Sequence, residues 1–162
     1  MGAKTENAMS AEIENRVQEL GYTIPVAAAP AANYVPFVIS GSILHISGQL
    51  PMADGKIAVT GHLGDTVDVA TGQKAAELCA VNILAQAKAA LGDLSRIKRI
   101  IKINGFVASK PDFVEQHLVA NGASDLLVAA LGERGIHARS AVGTASLPLN
   151  APVEIEAIIE VA

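Results

Sequence analysis

Aromatic residues are scarce in this 162-residue chain, with three Phe, two Tyr and no Trp making up 3% of it. A core must therefore be filled mainly by Ala, Val, Ile and Leu from the 51% apolar fraction, which suits close packing of helices on a sheet. The stacking platforms that bind single-stranded nucleic acid lack their material. Positive charge is thin as well. Twelve Lys and Arg against sixteen Asp and Glu leave a formal charge of -4 and a pI near 5.5. Without a basic stripe to neutralise phosphates, nucleic acid is not the expected partner.

One cysteine is present, Cys79, so no internal disulfide is possible. It sits in a helical pattern away from any base or cationic cluster and is expected to be a packed thiol in a reducing compartment. No apolar run reaches the length of a membrane span. The opening "MGAKTENAMSAEIENRV" has no apolar signal core, and Glu6 stands where a myristoylation signal places Ser or Thr. A cytoplasmic protein without membrane association is the expectation. His45, His62, His117 and His137 are widely spaced, without a His-x-x-x-His pair, and "GHLGDTVDVATG" lacks the strand-to-helix context of a phosphate loop. Neither a metal nor an organic cofactor is expected.

What remains is the pattern of a single domain over 1–162, with an N-terminal helix and connector in 1–29 and a core in 30–162. "SAEIENRVQELG" predicts a short amphipathic helix capped by Ser10, and the proline- and alanine-rich "YTIPVAAAPAANYVPF" an extended connector. "FVISGSILHISGQLP" predicts a hairpin turning at Gly41-Ser42, with Phe37, Ile39, Leu44 and Ile46 inward, and "KIAVTG" a third strand. The main helix runs from Asp68 to Gly92. "RIKRIIKINGFVAS" predicts a central strand, "SDLLVAAL" the middle of a second helix, and the last 26 residues two strands joined at "LPLN". The sum is an α+β fold, a mixed β-sheet packed on two helices with an extra helix at the N-terminus.

Alternation in the closing strands places Arg139, Ala141, Gly143 and Ala145 on one face, and Glu154, Glu156 and Glu160 opposite the apolar Val153, Ile155, Ala157, Ile159 and Val161. If the two strands form a hairpin, Arg139 lies near Glu160 and Glu154 near Ala145, so the two are not a simple ion pair. Small residues beside Arg139 leave a groove for a small ligand or another subunit. The structural alternatives are an interface ion pair for Arg139 and a solvated edge carboxylate for Glu154.

"SGQLP" at 47–51, "ARSAV" at 138–142, "LP" at 147–148 and "VEIEA" at 153–157 together resemble the signature of the RidA family, also called YjgF or UK114. The resemblance covers roughly residues 30–162. It implies a chorismate-mutase-like fold, a homotrimer with ligand clefts between subunits, and cofactor-free hydrolysis of reactive enamines or imines, such as 2-aminoacrylate, to 2-oxo acids and ammonia. Carried over, Arg139 would grip the substrate carboxylate and Glu154 handle the attacking water. Tyr34, Ser47, Gly48 and Asn121 would line the cleft. Ala141 stands where many members have cysteine, which removes a thiol role there and keeps a backbone carbonyl contact. The N-terminal helix points to a longer branch, whose substrate need not be 2-aminoacrylate. The same resemblance admits an endoribonuclease-type activity, or a trimer that binds or senses a metabolite without turnover. A planar guanidinium suits a 2-imino acid because its fork meets a carboxylate in two parallel charge-assisted hydrogen bonds.

Overall fold

The computed structural model describes residues 2–30 and 32–162. Within these residues three α-helices and seven strands follow in the order α1 (Gly2–Glu19), β1 (Phe37–Ser40), β2 (Ile43–Gln49), β3 (Met52–Ala53), β4 (Lys56–Ile57), α2 (Val69–Leu91), β5 (Ile97–Ala108), α3 (Gln116–Leu131), β6 (Ala138–Thr144) and β7 (Val153–Val161). The main sheet has the order β1-β2-β7-β5-β6, and β3 and β4 pair separately. All main-sheet neighbours are antiparallel except β5 and β6. Among the described residues no helix is long and apolar enough to cross a membrane.

Helices α2 and α3 cover one face of the sheet, and α1 packs against α3. Alternation along β7 buries Val153, Ile155, Ala157, Ile159 and Val161, each at 4% exposure or less, and leaves Glu154, Glu156, Ile158 and Glu160 half-buried on the other face. Helix α2 starts at Asp68, whose carboxylate accepts from Thr71 N at 2.8 Å, and ends at Gly92 in the left-handed region at φ 77°. Its buried side is rich in small residues, Ala75, Ala76, Ala80 and Ala87 among them, so the helix lies close to its neighbours. Closest of all is Gly122 of α3, where an added Cβ would stand 2.1 Å from the Gln73 carbonyl oxygen. Gly122→Ala should therefore destabilise the protein by about 1–3 kcal/mol through overpacking, although alanine is the better helix former by about 1 kcal/mol. Urea denaturation measures this, and an unchanged or higher midpoint would contradict it.

The closing strands depart from the expected hairpin. β6 is an edge strand running parallel to β5, and β7 lies between β2 and β5. β5, α3 and β6 form a strand–helix–strand unit, whose helix returns the chain to its starting end and makes the strands parallel. The turn at 145–152 then carries the chain past β5 to the centre of the sheet. That makes β7 the central strand, with β5 beside it. Arg139 accordingly pairs with Ile103, not Glu160, and Glu154 with Phe106, not Ala145.

Smaller differences have local causes. α1 begins near residue 2, since nothing in "GAKTENA" breaks a helix, and Ser10 lies inside it, accepting from Leu94 N at 3.3 Å rather than capping. Ile13 and Val17 of α1 join the apolar core. Ile39 is 46% exposed because β1 is the other edge of the sheet, and "KIAVTG" supplies only the two residues of β4.

Candidate active site

On the helix-covered side of the edge strand β6, Arg139 reaches α3. Its Nη1 donates to Asn121 Oδ1 at 2.9 Å and Ser124 Oγ at 3.1 Å, and its Nη2 to the His117 carbonyl at 3.0 Å. His117, Asn121 and Ser124 stand at i, i+4 and i+7, one face of the helix. All three acceptors are neutral oxygens, and among the described residues no carboxylate pairs with Arg139. A half-buried cation with a fixed guanidinium and no counter-charge suits an anionic ligand. Asn121, expected to line the cleft, spends its oxygen on holding Arg139. Ala141 pairs with Gly105 and shares Arg139's face. The groove further along is partly filled, because an added Cβ on Gly143 would meet Gln116 Nε2 and Ser109 Oγ, each at 2.9 Å.

A second cluster lies on the open face. Between Ile46 and Gln49 the pairing of β2 with β7 shifts register, and this bulge carries Ser47 and Gly48. Gly48 leaves room there for a carboxylate. An added Cβ would fall 1.9 Å from Glu154 Oε1, so the carboxylate lies directly over the glycine backbone. Ser47 ties in the segment bearing Tyr34, its N–H donating to Pro36 O at 2.9 Å and its hydroxyl to Val35 O at 3.0 Å. Tyr34, 49% exposed, lines with Gly48 and Leu149 a cavity of about 110 Å³. Leu149 holds a left-handed conformation at φ 58°, a strained state for a non-glycine residue and one that often marks functional turns. Burial, then the neighbouring Glu156 carboxylate, raises the pKa of Glu154 above the ordinary range. Glu156 in turn accepts from Asn104 Nδ2 at 2.7 Å.

The structure thus sorts the expected residues into two groups, Arg139 with Asn121 and Ala141, and Glu154 with Gly48, Ser47 and Tyr34. Arg139 stands opposite Ile103 and Glu154 opposite Phe106 on either side of β5. Three residues along and two strand spacings across put their Cα atoms about 14 Å apart, with the side chains on opposite faces. One small substrate cannot touch both within a single chain. Ser124, His137 and Leu149 were not anticipated from the sequence. The polar stripe at 117, 121 and 124 in an otherwise apolar helix was the available signal for Ser124. Cys79 is fully buried beneath β7, where burial raises its thiol pKa, and takes no part. Among the described residues no three His, Cys, Asp or Glu side chains are grouped to hold a metal.

Residues 14–160 match the family described as "YjgF/chorismate_mutase-like, putative endoribonuclease". Protein TCP17 of Trypanosoma cruzi is 52% identical over 93% of this chain and 95% of its own length. The structure of Atu1372 from Agrobacterium tumefaciens, a protein of unknown function, is 65% identical and superposes with a TM-score of 0.96 over 100% of both chains. The structure of E. coli TdcF with bound serine is 27% identical and superposes with a TM-score of 0.60, covering 85% of this chain and 94% of TdcF.

Proposed function

The chain belongs to the YjgF/chorismate-mutase-like family, the RidA family of its sequence signature, and from that premise we propose that it hydrolyses 2-imino acids and their enamine tautomers to 2-oxo acids and ammonia. The observation that carries this reading is Arg139, a guanidinium fixed by three neutral oxygens of α3 with no carboxylate against it among the described residues. The capture of serine by TdcF supports a ligand of the same amino-acid carboxylate class.

The two half-sites meet between copies of the chain in this reading, Arg139 from one and Glu154, Gly48 and Tyr34 from the next. Such a head-to-tail contact closes into a ring, which the family resemblance makes a homotrimer. With the carboxylate held by Arg139, the imine carbon faces a water on Glu154. The carboxylate takes the water's proton as the oxygen bonds to carbon, then delivers it to nitrogen. The hydroxyl of the resulting carbinolamine then gives its proton, through Glu154, to nitrogen as the carbon–nitrogen bond breaks, so that ammonia leaves and the oxygen becomes the carbonyl of the 2-oxo acid. A raised pKa brings Glu154 nearer the range in which one group serves as base and then as acid. Because the imine is already electrophilic, positioning and one carboxylate suffice.

Imino acids generated in situ by an amino-acid oxidase provide the test, with ammonia release followed against the spontaneous rate. Acceleration by the protein is expected. No acceleration together with tight binding of a 2-oxo acid would move the reading to a metabolite-binding protein without turnover. An RNA-cleaving role is the less favoured assignment, since the chain carries a formal charge of -4 and few aromatic residues on which bases could stack.

A further inference from the structure

A carboxylate fork is only as selective as the hold on its plane, and the groups holding Arg139 extend one residue beyond α3. The Ser124 hydroxyl that accepts from Arg139 Nη1 at 3.1 Å also lies 2.9 Å from His137 Nε2. The other ring nitrogen, Nδ1, sits against the Gly135 carbonyl. Two lone pairs cannot face each other at that contact, so Nδ1 carries a proton and donates it to Gly135 O. Neutral His137 then has a bare Nε2. Ser124 must donate its only proton to Nε2, which turns its oxygen lone pairs toward Arg139. The carbonyl that fixes the ring is itself fixed, because Gly135 is packed so tightly on α3 that an added Cβ would lie 2.3 Å from the Leu127 carbonyl oxygen. Burial outweighs the opposing pull of the Gly135 hydrogen bond and, with the Arg139 guanidinium, holds the His137 pKa below its ordinary value, which favours the neutral ring this arrangement needs.

We infer that Ser124 and His137 are positioning residues for Arg139, a one-directional hydrogen-bond chain running Arg139 to Ser124 to His137 to the Gly135 carbonyl that fixes the rotation of the guanidinium. Its functional consequence rests on the reading of Arg139 as the carboxylate ligand. His137 acts only through Ser124: it orients the hydroxyl, and the hydroxyl orients the fork. Ser124 shares Nη1 with Asn121, so the two acceptors engage that nitrogen together, while the His117 carbonyl holds only Nη2.

The experiment uses the full chain, 2-oxobutanoate as the binding probe, and the variants Ser124→Ala, Ser124→Thr, His137→Phe and the double Ser124→Ala/His137→Phe. Ser124→Ala should weaken binding about 5–20-fold and raise KM for the corresponding imino acid more than it lowers kcat. Ser124→Thr, which keeps the hydroxyl, should recover most of the loss. The double variant should lose no more than Ser124→Ala alone, the non-additivity expected when one group acts through another. The NMR signals of the Arg139 Nη protons give a readout independent of any ligand. They should be resolved in the wild type, through hindered rotation, and averaged in Ser124→Ala. Unchanged Arg139 signals in Ser124→Ala, or losses that multiply in the double variant, overturn the proposal. If the wild type binds no 2-oxo acid while the Arg139 signals respond as expected, the positioning chain stands and the carboxylate reading of Arg139 fails.

Discussion

Arg139→Ala should lower kcat/KM for a 2-imino acid about 10²–10³-fold, the equivalent of about 3–4 kcal/mol of transition-state stabilisation, while leaving the fold intact. The size follows from geometry. Two charge-assisted hydrogen bonds to one carboxylate are lost together, and β6 itself carries no second cation to replace them. The fold is spared because Arg139 sits half-exposed on an edge strand, so the oxygens of Asn121, Ser124 and His117 that it releases can turn to water. Arg139→Lys keeps the charge but not the fork and should recover only part of the rate. Steady-state kinetics with circular dichroism on the same samples checks both. If Arg139→Ala instead prevents assembly, and the few assembled molecules keep full activity, the arginine is an interface ion pair.

Glu154→Gln removes the base and keeps the shape, so kcat should fall about 10²–10⁴-fold while 2-oxobutanoate binds nearly as in the wild type. Stability should move the other way. The fold raises the pKa of Glu154, so it disfavours the charged carboxylate. That penalty grows as pH rises from the ordinary glutamate range through the raised value, and it is absent in the protonated form below that range. Glu154→Gln should therefore have the higher Tm at neutral pH, with the difference closing on acidification past the ordinary glutamate range. Gly48→Ala is the companion variant. Its methyl would land on Glu154 Oε1 and displace a flexible side-chain end rather than backbone, so turnover should drop with folding preserved. Full activity in Gly48→Ala would mean that the position of Glu154 over the bulge does not matter.

Local elements were legible because their signals are local. The cap at Asp68, the stop at Gly92 and the turn at Gly41 each lie within a few residues of the structure they determine. Strand neighbours were not. Parallel pairing of β5 with β6 follows from the intervening helix, yet the place of β7 depends on where a turn of eight residues delivers the chain, which alternation does not encode. The site divided along the same line. Arg139 and Glu154 could be singled out as charges in apolar strands, and the family signature supplied Gly48, Ser47 and Tyr34. Their separation onto opposite faces of the sheet needed the register of β5 against both β6 and β7. Ser124 lay in the polar stripe of α3 at 117, 121 and 124, but nothing in that stripe says which partner it faces, and a histidine before a strand carries no pattern until tertiary structure brings both to one arginine.

The central claim is that each site takes Arg139 from one copy and Glu154 from its neighbour, and subunit mixing tests it. Arg139→Ala and Glu154→Gln chains, each nearly inactive alone, are combined in equal amounts under conditions where native mass spectrometry confirms exchange. A site between copies regains both groups whenever the Glu154→Gln chain supplies Arg139 and the Arg139→Ala chain supplies Glu154, so random mixing should restore about a quarter of wild-type activity. Confirmed exchange with activity no higher than that of the separate variants would contradict the account, because it would mean that both residues act from one chain or that one of them does not act at all.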